Sequence, residues 1–78
     1  MAEPRIDLDV RNVEPKNRLE TIMSAWSQLG TGDELWLTVD HDPKCMYYTL
    51  LADHGPEAFT FEYIEDGPTD WRVKVVKA

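Results

Sequence analysis

The run Val39-Asp40-His41-Asp42-Pro43 sets two carboxylates and an imidazole on consecutive residues, and a thiol, Cys45, follows at once. An imidazole flanked by acids can ligate a metal, shuttle a proton or make a pH-sensitive contact. His41 and Asp40 are the metal candidates. Adjacent residues rarely all ligate one ion, so a metal site needs Glu14 or Glu65 to converge on them. Asp42, placed before proline, is also the residue type that caps a helix. Asp40 is free to stay solvated, to contact a ligand, or to pair with Arg11 or Lys44. Cys45 reads either as a small half-buried hydrophobe or as a relocated sulfur or redox thiol. There is no Ser-His-Asp arrangement, glycine-rich phosphate loop or paired-cysteine motif.

These residues need elements to hold them. Ile6, Leu8 and Val10 alternate with Asp7, Asp9 and Arg11, which predicts a first strand over Ile6–Val10. Pro15 suits the first position of a helix. Leu19, Ile22, Met23, Trp26 and Leu29 then form one apolar stripe, and Gly30 is expected to end the helix as its C′ residue. Leu35, Leu37 and Val39 predict a second strand, with Trp36 and Thr38 on its other face. Asp42 is expected as N-cap and Pro43 as first residue of a second helix, with Tyr47, Leu50, Leu51 and His54 on one face. His54 falls at its C-terminal end, where a cation is favoured, and reads as structural. Gly55-Pro56 ends that helix. Phe59, Phe61 and Tyr63, a turn cluster from Glu65 to Asp70, and Trp71, Val73 and Val75 predict a hairpin. The order β-α-β-α-β-β, with right-handed crossovers, puts both helices on one face of a sheet. Trp36, Ile64 and Val76 then lie on the open face. They are either scattered surface apolars or a docking face for another domain or a weak homodimer.

Composition narrows the functions. The 78 residues, 42% apolar and 29% charged, make a single domain over 1–78. Net charge is −7, with eight Lys and Arg scattered among fifteen acids. That excludes a basic nucleic-acid footprint and disfavours anionic membranes; a cation or a basic protein surface is the better partner. The single cysteine excludes an internal disulfide. The start Met1-Ala2-Glu3-Pro4 lacks the basic and apolar regions of a signal peptide, so the expected location is the cytoplasm. Nothing asks for a cofactor in folding.

Leu8-Asp9-Val10-Arg11, Asp40-His41-Asp42-Pro43-Lys44, Tyr47-Tyr48, Phe61-Glu62-Tyr63 and Gly67-Pro68 with Trp71-Arg72-Val73 occur together. In this the chain resembles a small bacterial domain family of unknown function within the TusA/SirA-like superfamily, often found with hemerythrin-like cation-binding domains. The resemblance covers nearly the whole chain. It implies an α+β two-layer sandwich with a mixed four-stranded sheet of order 1-2-4-3. It also implies that Arg11, Glu14, Asp40, His41, Asp42, Glu65 and Trp71 converge at one edge. The superfamily includes sulfur carriers whose cysteine precedes a proline opening the first helix; here that pair is Glu14-Pro15. Many relatives carry a histidine after the helix-one arginine, where this chain has Leu19 after Arg18. The favoured expectation is a non-enzymatic binding or accessory module. It recognises a small ligand, a cation or a partner protein, hemerythrin-like or redox, at the Asp40-His41-Asp42 edge, with Arg11, Glu14 and Trp71 beside it. The alternatives are a sulfur-relay or redox protein using Cys45, and a small metal-dependent enzyme with His41 as ligand or acid/base.

Overall fold

The computed structural model describes residues 5–78. Met1 to Pro4, which the single-domain and leader readings include, lie outside the described residues. The elements are β1 (Arg5–Asp9), α1 (Pro15–Ser27), β2 (Glu34–Val39), α2 (Lys44–His54), β3 (Phe59–Asp66) and β4 (Trp71–Lys77). They form an α+β sandwich with one mixed sheet of order β1-β2-β4-β3. β1 runs parallel to β2, and β4 is antiparallel to both β2 and β3.

Register explains the core. Ile6 pairs with Leu35 and Leu8 with Leu37. Leu35 in turn pairs with Val75, Leu37 with Val73 and Val39 with Trp71. Period-2 alternation turns all of these to one face. There they meet Ile22, Ala25 and Trp26 of α1 and Met46 and Leu50 of α2 in one buried cluster, so both helices cover the same face. Leu35, Leu37, Leu50, Val10, Val73 and Val75 are fully buried.

Among the described residues, no layer covers the opposite face. Arg5, Glu34 and Val76 share one row across it, and Asp7, Trp36 and Lys74 the next. Trp36 is not bare. Its indole N–H donates to Glu34 at 2.8 Å, and the Arg5 guanidinium stacks 4.2 Å from the ring centroid, with Lys74 and Arg72 near 6 Å. Ile64 sits in a β-bulge between Tyr63 and Glu65 and is exposed.

Several local expectations are corrected. Helix α1 ends at Ser27 with Gln28 as a right-handed C-cap; Gly32, at φ 87°, takes the positive-φ turn, and Gly30 does not. The Gly30 N–H instead donates to the Asp33 carboxylate at 2.7 Å. Leu19 belongs to the apolar stripe by spacing, yet it is 43% exposed, because the buried face of the helix starts one turn later at Ile22. Asp42 is not the cap of α2. Pro43 is the N-cap, the helix starts at Lys44, and no side chain caps it. The Pro43 carbonyl accepts the Met46 and Tyr47 N–H groups instead. Met46, absent from the expected face, is buried beside Leu50. His54, in the last turn of α2, is tied into the structure: its Nε2 accepts the Trp26 indole N–H at 3.1 Å, and an indole N–H only donates.

Leu37→Ala should therefore cost about 2–5 kcal/mol, the range for a buried leucine. Leu19→Ser should stay within about 0.5 kcal/mol, as surface changes do. Urea melts of the two variants check both; equal losses would contradict the burial pattern.

Candidate functional site

The site grows from a residue that the sequence does not advertise. Arg18 lies on the first turns of α1, and only 12% of its side chain is exposed. Its Nε donates to the Val13 carbonyl at 2.8 Å and one Nη to the Arg11 carbonyl at 3.1 Å. Both terminal nitrogens reach the Asp40 carboxylate, at 2.8 and 3.3 Å. A planar fork with five donors can do this; an ammonium cannot. The β1–α1 loop is thereby tied to the end of β2.

Asp40 is thus occupied, by Arg18 rather than by Arg11 or Lys44. Its Oδ1 also meets His41 Nδ1 at 2.9 Å. The Arg18 bond first and the His41 contact second hold its carboxyl down at about 2. His41 itself is mostly exposed, and Nε2 is its ring nitrogen outside the Asp40 contact. Arg11 turns the other way. It takes the Asp9 carboxylate in a two-pronged bond at 2.6–3.1 Å and reaches Asp70 in the hairpin turn at 3.2 Å. The Asp9 carboxyl is lowered and the Arg11 guanidinium raised, each chiefly by hydrogen bonds to the other.

Asp42 accepts the Tyr63 hydroxyl at 2.5 Å. Burial first, and that bond second, push the Tyr63 phenol up to about 12. The Tyr63 ring packs edge-on to Trp71, centroids 6.1 Å apart. Trp71 also closes over Gly67, whose φ is 90°; a Cβ there would lie 2.8 Å from the indole. The residues expected at one edge therefore divide. Asp40 and His41 join through Arg18, Asp42 joins Trp71 through Tyr63, and Arg11 bridges Asp9 and Asp70. Glu14 stays outside, solvated and 3.7 Å from Lys16. Glu65 lies in register with Arg72, beyond the bulge. Among the described residues, no group of three or more His, Cys, Asp or Glu side chains is placed to hold a metal ion.

Between the N-terminal ends of α1 and α2 lies a cleft of about 190 Å³. Val10, Leu19, Ile22, Val39, Pro43 and Met46 form its walls, and Arg18, His41, Asp42 and Cys45 its polar part. Cys45 is a free and exposed thiol, not half-buried as expected. Arg18 and Tyr63 were missed as site residues. The signals were present: a cation in the first turns of a helix opposes the dipole and asks for a partner. A tyrosine ending an aromatic row offers a polar tip at the sheet edge.

Fold and site together define a small two-layer α+β domain whose charged loops surround one apolar cleft. The chain belongs to the family described as an uncharacterized conserved protein (DUF2249), which it matches over residues 7–77. Comparison with curated proteins and with solved structures gives no match. No helix among the described residues is long and apolar enough to cross a membrane.

Arg18→Lys should cost about 1–3 kcal/mol in urea melts, the scale of lost charge-assisted hydrogen bonds. Because the Asp40 carboxyl is depressed, the stability it contributes is complete above the ordinary value near 4 and fades as pH falls toward about 2. Melts of wild type and Asp40→Asn should therefore differ at pH 5 and converge at pH 2. A constant difference across that range would show that Asp40 does not carry the acid dependence.

Proposed function

We propose that this domain is a non-enzymatic binding or accessory module that receives a small apolar group in the cleft between its two helix starts. The observation that carries the reading is the chemistry of the cleft: apolar walls of Val10, Ile22, Val39 and Met46 under a rim that exposes His41 and Cys45. Such a lining suits an apolar body with one oriented polar end. The volume is below the roughly 300–1,000 Å³ of pockets for larger ligands, so the occupant is a side chain or a molecule of a few heavy atoms. Asp40 and Asp42 already have partners, which leaves the His41 ring as the ligand's polar contact. The resemblance to TusA/SirA-like proteins found beside hemerythrin-like domains supports a cytoplasmic accessory role next to such a partner.

Titration of the ¹⁵N-labelled protein with short aliphatic alcohols and amides tests this. Amide shifts should centre on Val10, Leu19, Ile22, His41 and Met46, and Ile22→Phe should abolish them by filling the cleft. Shifts confined to the open sheet face would sink the reading.

A sulfur-relay role is the second reading, favoured by the exposed Cys45 thiol lining the same cleft. Glu14 occupies the usual carrier position, so the expectation is no stable loading. Incubation with a cysteine desulfurase and cysteine, followed by intact mass, checks it. A gain of one sulfur atom that vanishes in Cys45→Ser would replace the binding reading with the relay.

A further inference from the structure

At the outer edge of the sheet, a row of aromatic rings runs along the seam between β3 and α2. Phe59, Phe61 and Tyr63 share the helix face of β3, and Tyr47 comes down from α2. Neighbouring rings meet edge to face: Phe59–Tyr47 at 5.9 Å, Tyr47–Phe61 at 5.2 Å, Phe61–Tyr63 at 5.5 Å and Tyr63–Trp71 at 6.1 Å. Tyr48 extends the row outward from Tyr47 at 5.4 Å. Unlike the buried Phe59 end, the Tyr48 and Tyr63 end is open, at 61% and 42% exposure.

Carboxylates flank that open end. Asp42 holds the Tyr63 hydroxyl, and Asp66 pairs in register with Trp71. Neither carboxylate is in a salt bridge among the described residues. The protein's other half-buried indole is treated differently, since Arg5 stacks on Trp36, and the buried Trp26 has Lys77 at 5.0 Å. Among the described residues, no lysine or arginine is placed over Tyr47, Tyr48, Phe61, Tyr63 or Trp71.

We propose that this open aromatic row is a docking surface for a lysine or arginine side chain presented by a partner protein. Ring faces attract cations through their quadrupole, and a phenol donating to a carboxylate is the more electron-rich for it. The flanking acids add charge–charge attraction, and the chain's −7 favours a basic partner at long range. A second copy of this chain would bring the same acids against themselves, and a nucleic acid would be repelled as a whole. The proposal is independent of the cleft reading, because the row lies on the other side of Asp42 and shares no other residue with the cleft.

The test is an NMR titration of the ¹⁵N-labelled protein with a synthetic peptide containing two arginines and a lysine. A counterpart with citrulline and norleucine at those positions is the control. The basic peptide should shift the amides of Tyr47, Tyr48, Tyr63 and Asp66 and the Trp71 indole N–H; the neutral one should not. Tyr48→Ala and Asp66→Asn should each weaken binding about three- to fivefold, the scale of one exposed cation–π or ionic contact. Both positions are exposed, and a dispersed amide spectrum confirms that each variant is folded. Glu20→Gln, an equal loss of charge on α1, should change affinity less than about twofold. Weakening by Glu20→Gln equal to that by Asp66→Asn would mean diffuse charge attraction and overturn the proposal. So would shifts away from the rings, or concentration-dependent self-association at the same residues without peptide.

Discussion

A single guanidinium ties together the end of this domain where the two helices begin. Arg18 is nearly buried and answers two backbone carbonyls of the β1–α1 loop and one carboxylate at the end of β2. The Val13 bond is part-buried, where a hydrogen bond to a charged donor is stronger than at the exposed Arg11 carbonyl. The same bonds decide where Asp40 points, and Asp40 in turn engages His41. Loop, strand end and imidazole are therefore joined by one set of bonds, and Arg18 and His41 from that set line the cleft.

The acidic character of the chain is spent unevenly, and that unevenness separates two surfaces. Near the cleft Asp40 is matched by Arg18, and Asp9 and Asp70 by Arg11, while Asp42 in the cleft lining accepts the Tyr63 hydroxyl. What remains for a ligand there is apolar wall, one imidazole and the Cys45 thiol. Beside the open aromatic row, Asp42 and Asp66 have no matching cation among the described residues, which leaves attraction for a positive group. The Tyr63–Asp42 bond joins the two regions, so a change at either carboxylate-bearing loop is felt on both sides.

The open face of the sheet shows a third arrangement. A tryptophan in the middle of an uncovered sheet suggests a sticky surface. Here the Arg5 guanidinium lies on the ring and Glu34 satisfies the indole N–H, so much of the apolar area is covered from within. Charged side chains around it and a bulge at Ile64 are the devices that keep sheets from pairing at random.

Strand and helix identities, the hairpin and the inward set Leu35, Leu37, Val39, Val73 and Val75 were legible from period and turn chemistry alone. Those signals are local: alternation needs only neighbours along the chain, and burying one face of a strand needs only that face to be apolar. The sheet order came from the resemblance, since spacing cannot say which strand lies next to which. Within the candidate site, the Asp-His-Asp run carries no sign of its own bonding. Asp42 looked like a cap because that is what aspartate before proline does when nothing else is near. In the fold, the Tyr63 hydroxyl is near, and a helix start left to Pro43 is the result. Asp40 has Lys44 one helical turn away in sequence, yet it pairs with Arg18, twenty-two residues away along the chain. Pairings of this kind were decided only by tertiary structure. A charged group bonds to whatever the fold brings within about 3 Å, and long-range proximity is not written in local sequence.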